Sequence, residues 1–416
     1  MLIHSASQLL TLRGGPQRGA ELGRLEIISD GAVLVRDGLI AAVGKSTDLR
    51  AAYPNELLLD AAGRAVLPGF VDPHTHLVFA GDRAAEFEMR LAGKSYLEIL
   101  AAGGGILSTV TATRDSSREQ LLAQTRARAR RMLANGTTTA EAKSGYGLDL
   151  ECELKQLQVL LDLDAEGPLE IVPTFLGAHA ISPEYRADPN AYVARLCAEI
   201  LPTLRDWWRD GRAEGRGLPF VDVFCETGAF DLEQSRRILE AARALGFPLK
   251  IHADEFDNLG GAALAAGLGA VSADHLVRTS QADIQVLASS GCVAVSLPCT
   301  PFGLAETHYT PAREILAADG LLAIASDLNP GTAWCESMQF VIALACRCLH
   351  LTPAQAIAAA TINAAAAIGL AECIGSIEPG KQADLLILSL ADYRHLAYQF
   401  GGNLVARVIK RGKVVV

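Results

Sequence analysis

Histidine and aspartate residues follow several short apolar segments of this 416-residue chain. His74 and His76 form a His-x-His pair, while His252, His275 and Asp327 each follow a later segment. Alternate residues of a strand share one face, so the paired imidazoles can point the same way. Neutral imidazole and carboxylate groups bind Zn²⁺ or Fe²⁺, and such a cation makes water a better nucleophile. Each residue alone fits a core, surface or turn position equally well, so their joint placement carries the prediction of a metal site with three histidines and one aspartate.

The elements that must position these residues are eight short apolar runs, most of them rich in β-branched residues, with helical patterns between them. Repeated alternation of strand and helix is typical of an α/β fold with a (β/α)₈ TIM-like barrel, whose strand ends converge on one mouth. Ser116 with Glu119 and Asp231 with Gln234 are predicted capping boxes that begin two of the helices. The predicted strands are 67–72, 137–142, 171–177, 220–226, 248–252, 269–274, 292–297 and 321–326.

The two ends of the chain differ from its middle. Residues 24–45 and 383–416 contain short strand signals and lack long helical patterns. We predict a small β-sandwich domain formed by both termini, with two separate flaps as the alternative. The predicted divisions are 1–65 for the N-terminal part of the β domain, 66–374 for the metal-dependent barrel and 375–416 for the C-terminal part.

Composition excludes several classes of function. Hydrophobic residues make up 50% and charged residues 20% of the chain, which is typical of a core-forming protein. The net charge is -10 and no basic stripe occurs, so neither nucleic acid nor an anionic membrane is an expected partner. No signal-peptide pattern begins the chain, and nine cysteines are scattered without a Cys-x-x-Cys motif, so we expect a cytoplasmic protein with reduced thiols.

Two segments near the predicted domain borders resemble the amidohydrolase superfamily. They read PGFVDPHTH at 68–76 and IEPGKQADL at 377–385. Further segments narrow the resemblance to the imidazolonepropionase family, and together the motifs extend over nearly the whole chain. These segments are LVFAGDR at 77–83, AGGGI at 102–106, KSGYGL at 143–148, FLGAH at 175–179, HADEF at 252–256 and SDLNPGT at 326–332.

The resemblance implies a hydrolase that acts on a carbon–nitrogen bond of a cyclic amide. It implies opening of the ring of 4-imidazolone-5-propanoate, a small anionic substrate, to N-formimidoyl-L-glutamate in histidine degradation. One divalent or trivalent metal ion, Zn or Fe, is implied, with the ligands His74, His76, His252 and Asp327. The implied substrate-binding residues are Arg83, Tyr146, His179, Glu255, Asn329, Gly331 and Thr332.

Glu255, His275 and Asp327 are the predicted catalytic residues. Glu255 could move a proton to the leaving nitrogen, or it could be a salt-bridged carboxylate at the barrel rim. His275 is assigned to oxyanion stabilisation or proton transfer, with a fourth ligand or a prop for a ligand as the alternative. Asp327 could accept the proton of water as well as bind metal. The guanidinium of Arg83 suits a carboxylate, although an ion pair with Asp82 is the plainer explanation.

Lys143 bears on the number of metal ions. Some amidohydrolases bridge two metals with a carboxylated lysine at the end of the fourth strand. The predicted fourth strand ends at 224–226 without a lysine, and Lys143 follows the second strand, so we predict one metal and no carboxylated lysine. The glycines at 103–105 are predicted to form a rim loop or lid, because no phosphate-binding motif follows them.

Two other functions compete with the ring-opening hydrolase. A related cytosine- or guanine-type aminohydrolase would share the paired histidines and the terminal aspartate. The set of Arg83, Tyr146 and His179 argues against it, since a neutral nucleobase needs no carboxylate clamp. A metal-free scaffold would have lost ligand residues, whereas all four are present. A homodimer is left open.

Overall fold

The structure of the chain, a computed structural model, describes residues 1–94, 98, 103–213 and 215–416. Its strands belong to two sheets. The strands of the terminal regions are β1 (Leu2–Leu10), β2 (Ile27–Arg36), β3 (Leu39–Lys45), β4 (Leu58–Asp60), β5 (Val66–Pro68), β14 (Leu385–Leu388), β15 (Val405–Lys410) and β16 (Lys413–Val414). The strands between them are β6 (Phe70–Asp72), β7 (Thr137–Lys143), β8 (Glu170–Ala178), β9 (Phe220–Cys225), β10 (Lys250–Ala253), β11 (Ser272–His275), β12 (Val293–Ser296) and β13 (Leu322–Ile324).

The terminal strands form one sheet in the order β16-β15-β14-β5-β1-β2-β3, with β4 paired to β1. Strand β14 pairs antiparallel with β5, which joins the two ends of the chain. The prediction of a β domain built from both termini is therefore confirmed. Strand β1 was not among the predicted strands, because its register shifts between Ile3 and Ala6, and Ser5 between them has a φ of 59°. Such a bulge interrupts the alternating pattern that sequence reasoning relies on.

Strands β6 to β13 are parallel neighbours in chain order and form the predicted barrel. A bridge between Thr75 and Leu328, just beyond the first and last strands, closes it. Every residue of β7, β10, β11, β12 and β13 is buried, as expected for parallel strands covered by helices. The predicted (β/α)₈ fold is confirmed, and each predicted strand after the first overlaps one strand of the barrel.

The predicted first strand, 67–72, is wrong in one respect, because it is two strands that belong to different sheets. Val66–Pro68 pairs with β1 and β14, whereas Phe70–Asp72 pairs with β7. The chain passes from one sheet to the other at Gly69. A Cβ at Gly69 would stand 2.2 Å from Thr138 Oγ1, so the crossing requires a residue without a side chain. The predicted domain borders themselves stay a prediction.

Helices cover the outside of the barrel, and in the described part of the chain none is long and apolar enough to cross a membrane. The α-helices are Ser46–Ala52, Ala84–Leu91, Ile106–Asp115, Arg118–Ala134, Leu150–Glu166, Pro189–Arg195, Leu201–Trp207, Leu232–Ala244, Gly261–Leu268, Gln281–Ala288, Cys299–Gly303, Ala312–Ala317, Met338–Cys348, Pro353–Ala359, Ile362–Ala366 and His395–Tyr398. Short 3₁₀ turns lie at Gly19–Glu21 and Pro183–Tyr185, and π-helical turns at Leu196–Ile200 and Trp208–Arg212.

One of the two predicted capping boxes is confirmed. Asp231 and Gln234 cap the helix Leu232–Ala244 reciprocally. The other prediction is wrong by one residue, because Ser117, paired with Gln120, begins the helix Arg118–Ala134. Ser116 instead donates its hydroxyl to the carbonyl of Ala112 in the preceding helix, at 2.8 Å.

Candidate active site

Imidazole nitrogens and a carboxylate oxygen converge at the mouth of the barrel. His252 Nε2 lies 3.3 Å from His76 Nε2. Asp327 Oδ1 lies 3.4 Å from His74 Nε2 and 3.5 Å from His76 Nε2. All four residues are buried. Of the described residues, those that could hold a metal ion form two overlapping groups, His74–His76–Asp327 and His74–His252–His275.

The closing segments of the barrel bring these residues together. Asp327 donates its backbone N–H to the carbonyl of His74 at 3.2 Å, and His76 donates to Leu328 at 2.8 Å. The segment after β6 therefore runs beside the segment after β13, which places the His-x-His pair against Asp327. His252 lies within β10 and His275 ends β11. Asp327 and His275 have φ values of 54° and 79°, in a region that is uncommon for residues other than glycine.

The donor set fits a divalent cation. His74 Nδ1 lies 2.6 Å from Asp274 Oδ2, so this nitrogen carries the ring proton. The other nitrogen, Nε2, is buried without a hydrogen-bond partner among the described residues. Burial, together with the charge of Lys143, lowers the pKa of His74 well below its ordinary value, so the imidazole is neutral. A neutral imidazole with a buried free lone pair beside a carboxylate matches the ligands that Zn²⁺ and Fe²⁺ prefer.

Asp327 has a second contact that fixes its orientation. The hydroxyl of Thr300 donates to Asp327 Oδ2, while Oδ1 faces the histidines. Burial raises the pKa of Asp327 to about 6, against the lowering effects of Thr300 and His252. A group with such a pKa can exchange a proton near neutrality.

Charged residues that sequence reasoning missed lie beneath the histidines. They are Glu141, Asp222, Lys250 and Asp274, and all are fully buried in contact with Lys143 or with one another. The sequence does contain a signal that could have indicated these buried charges. Asp222 interrupts an apolar strand, and Lys250 precedes His252 by two residues on the same strand face. A charge inside a barrel strand must find a partner in the interior.

A cavity of about 150 Å³ opens beside the histidine cluster. Most of the predicted site residues line it, together with several apolar side chains. Its walls are His76, Arg83, Ile106, Tyr146, His179, Phe224, His252, Glu255, Phe256, His275, Asp327, Asn329 and Thr332.

Arg83 supplies the positive charge of this cavity. Its side chain is 14% exposed, and Nη1 lies 3.8 Å from Glu86 Oε2, a loose contact. Its buried Nε has no hydrogen-bond partner in the described part of the chain. Asp82, the expected surface partner, instead accepts a hydrogen bond from the N–H of Ala84 at the start of a helix. The guanidinium therefore retains donors for an anion.

His179 and Tyr146 lie side by side next to His76. The His179 ring stacks on that of His76 with centroids 4.8 Å apart, and the Tyr146 ring is 5.3 Å from His179. Burial lowers the pKa of His179 to about 3, so the ring is neutral, and its Nδ1 lies 3.1 Å from the carbonyl of Gly145. Nδ1 therefore donates, which leaves Nε2 as an acceptor. Burial raises the pKa of Tyr146, so its hydroxyl keeps its proton and can donate.

Glu255 and His275 face each other across the cavity. Glu255 Oε2 lies 3.6 Å from His275 Nε2, and the Glu255 side chain is 10% exposed. Burial and the nearby carboxylates of Asp327 and Glu226 raise the pKa of Glu255 well above its ordinary value. This carboxyl group therefore favours its protonated form, which a proton donor requires.

The loop after β13 is held together by Asn329, and the predicted substrate-binding roles of Asn329 and Gly331 stay predictions. Asn329 Oδ1 accepts hydrogen bonds from the N–H groups of Gly331 and Thr332, both at 2.8 Å. Its Nδ2 donates to the Asp327 carbonyl and to Thr332 Oγ1. The Asn329 amide is thus used within the loop. Gly331 lies outside the described lining of the cavity, against the side chain of Arg83.

The glycines at 103–105, predicted to form a rim loop or lid, lie just before a helix, and Ala102 before them is outside the described residues. Gly105 precedes the helix Ile106–Asp115, and Ile106 reaches the wall of the cavity. A lid function for this segment stays a prediction.

Comparisons with known proteins identify the family of the chain. Residues 65–415 match the amidohydrolase family, and residues 31–55 match a bacterial imidazolonepropionase-like composite domain. The chain is 52% identical to the imidazolonepropionase of Herpetosiphon aurantiacus, over 100% of this chain and 96% of that protein. It is 50% identical to the imidazolonepropionase of Chloroflexus aggregans, over 100% of this chain and 98% of that protein.

A zinc-bound adenosine deaminase from Xanthomonas campestris shares the fold, with a TM-score of 0.70 at 22% identity over 99% of this chain and 92% of that one. The chain therefore belongs to the amidohydrolase family, and within it to the imidazolonepropionases.

Proposed function

We propose that the chain catalyses hydrolytic ring opening of 4-imidazolone-5-propanoate to N-formimidoyl-L-glutamate. The observation that carries the proposal is one cavity that combines three convergent imidazoles and a carboxylate with a guanidinium that retains free donors. This combination suits a cyclic amide that bears an anionic side chain. The names of the relatives that are about half identical over the whole chain support the same reaction.

His74, His76, His252 and Asp327 would hold the metal ion, which we propose to be a single Zn²⁺ or iron ion. When bound, such an ion acidifies water and polarises a carbonyl group. Asp327 Oδ1 faces His74 and His76, and the Thr300 hydroxyl holds its other oxygen. Asp327 can also accept the proton of the attacking water.

The reaction adds water to the ring carbonyl and breaks the ring carbon–nitrogen bond. Water oxygen becomes part of the new carboxylate, and the nitrogen leaves in the formimidoyl group with an added proton. We assign delivery of that proton to Glu255, whose pKa is raised by burial and which faces His275 at 3.6 Å. His275, neutral because burial lowers its pKa, can donate its ring N–H to the carbonyl oxygen as negative charge develops there.

Three residues would orient the substrate. Arg83 can hold the propanoate carboxylate in a bidentate hydrogen-bonded pair. The protonated hydroxyl of Tyr146 can donate to the same carboxylate. Since His179 Nδ1 donates to Gly145, its Nε2 can accept from a ring N–H of the substrate. Asn329 and Thr332 line the cavity directly, and Gly331 would act on the substrate through Arg83.

An assay of the purified protein with parallel metal analysis tests the proposal. We expect turnover of imidazolone propanoate with about one bound metal ion per chain. The variant His252→Ala should lose both metal and activity, whereas Arg83→Ala should keep its metal and bind substrate weakly. Release of ammonia from cytosine or guanine without turnover of imidazolone propanoate would favour an aminohydrolase instead. An active, metal-loaded His252→Ala protein would refute the ligand set.

A further inference from the structure

Lys143 is a buried cation to which the mechanism gives no role. Lys143, the last residue of β7, is fully buried and lies beneath the histidine cluster. Its Nζ donates to Glu141 Oε1 at 2.7 Å and to Asp222 Oδ2 at 2.8 Å, and it lies 3.8 Å from Asp274 Oδ2. Burying an ammonium group costs free energy unless the group is paired, so the presence of Lys143 in the barrel interior needs an explanation.

The two aspartates that Lys143 contacts each face a proposed metal ligand. Asp274 Oδ2 lies 2.6 Å from His74 Nδ1, and Asp222 Oδ2 lies 3.0 Å from His252 Nδ1. In both aspartates the atom near the histidine is the atom near Lys143. Asp222 is also held through its other oxygen, which accepts the backbone N–H of His252 at 3.2 Å.

We propose that Lys143 is a positioning residue that sets two metal-binding imidazoles at once, through Asp222 and Asp274. Its ammonium group lies against the same carboxylate oxygens that face His74 Nδ1 and His252 Nδ1, so its loss would free both carboxylates to move. His74 and His252 are thereby held with the lone pair of Nε2 directed into the site. Carboxylates behind metal-binding histidines commonly fix the ring in this way, and the inference here is that one lysine couples two of them.

The surroundings of Lys143 support a fixed position for its charge. Glu141, its third partner, accepts hydrogen bonds from the Thr174 hydroxyl and from the Thr75 N–H at 3.2 Å. Since Thr75 lies between His74 and His76, the same network reaches the segment that carries the His-x-His pair. Lys143 is thus linked through Glu141 to the segment after β6. It is linked through Asp222 to β9 and through Asp274 to β11.

Lys250 is a matched control, because it is equally buried but is not placed between the two aspartates. Its Nζ lies 3.5 Å from Asp274 Oδ2 and donates to Ser272 Oγ at 2.6 Å. Its other contacts are the carbonyls of Pro73 and Ala367. Loss of Lys250 should therefore disturb one histidine at most, whereas loss of Lys143 should disturb two.

The test is the affinity of the full-length protein for Zn²⁺, measured by competition with a chromophoric chelator after removal of bound metal. The inference rests on the proposed metal site. We expect Lys143→Met to weaken Zn²⁺ binding by about 10- to 100-fold, the usual effect of losing a group that orients a ligand. Lys250→Met should weaken it less. Equal losses in the two variants, or unchanged affinity in Lys143→Met, would overturn the inference. Absence of Zn²⁺ binding by the wild-type protein would instead overturn the proposed function.

Two further measurements keep the inference testable if Lys143→Met does not fold. The double variant Lys143→Met with Glu141→Gln removes one charge of each sign and leaves both aspartates in place, and it should show the same loss of affinity. In the metal-free wild-type protein, ¹⁵N NMR of the histidine side chains should find His74 and His252 protonated at Nδ1. Protonation at Nε2 in both rings would overturn the inference without any variant.

Discussion

Gly331 lies directly against the guanidinium group of Arg83. A Cβ at Gly331 would stand 1.7 Å from Arg83 Nη2 and 2.4 Å from Arg83 Cζ, and the three nearest atoms all belong to this side chain. The backbone of Gly331 is outside the left-handed region, so alanine meets no conformational obstacle there. The absence of a side chain at Gly331 therefore makes room for the proposed substrate-binding arginine.

Gly331→Ala should raise KM by about 10- to 100-fold, because Arg83 must move and a charge-assisted hydrogen-bonded pair contributes about 1.5–3 kcal/mol. Metal content and thermal stability should change little. Steady-state kinetics measure the effect. In an Arg83→Ala background the same glycine substitution should have no further effect on KM, and an additive loss would show that Gly331 acts independently of Arg83.

Thr300→Val removes the hydroxyl that donates to Asp327 Oδ2 and keeps the shape of the side chain. We expect about tenfold weaker metal binding, because a ligand carboxylate loses the contact that orients it. Zn²⁺ titration measures this. Thr279→Val is the matched control, since its hydroxyl donates to Asp254, another buried aspartate at a strand end that is not a proposed ligand. Comparable metal loss in the control would contradict the assignment.

Arg128, in the helix Arg118–Ala134, forms hydrogen bonds to the segment that runs from His76 to Arg83. Its guanidinium donates to the carbonyls of Leu77 and Phe79, at 3.0 and 2.6 Å, and lies 3.7 Å from the centre of the Phe79 ring. Arg128→Met should destabilise the protein by about 1–3 kcal/mol, because buried carbonyls lose their donors. Urea unfolding measures the change, with the exposed Arg130→Met on the same helix as the control. Equal stability of the two variants would contradict this role.

Removal of the metal with a chelator should abolish activity and leave the fold intact, because the barrel has an extensive apolar core independent of the ligands. Added Zn²⁺ or Fe²⁺ should restore activity. The melting temperature should rise with the concentration of the restoring ion, since an ion that binds only the folded protein stabilises it. Activity that survives exhaustive chelation would contradict a role for metal in the reaction.

Much of the fold could be predicted because most barrel strands are short apolar runs with helical patterns between them. His252, His275 and Asp327 were found in this way, and the structure places them around one cavity. The crossing at Gly69 was not found, since Val66–Pro68 and Phe70–Asp72 are both apolar and adjacent. An apolar pattern predicts that a residue is buried, but it does not predict which of two sheets the residue joins.

The buried charges could not be predicted by inspecting strand ends alone. Asp222 and Asp274 precede the polar ends of their strands, and their importance depends on facing Lys143 from different strands. Similarly, the sequence does not reveal that two loop N–H groups donate to the amide oxygen of Asn329, which lines the cavity. In both cases the missing information is which partner lies across from the residue in space.

The junction at Gly69 connects the terminal sheet to the segment that carries His74 and His76. Gly69 donates its N–H to Asp384 at the start of the C-terminal strands, and Phe70 donates to Gly136 in the barrel. Only a few residues then separate this junction from His74 and His76. The sheet made by the two ends of the chain therefore holds the segment that leads to the first pair of imidazoles, and we expect that shortening the C-terminal segment would weaken cation binding at the proposed site before the barrel unfolds.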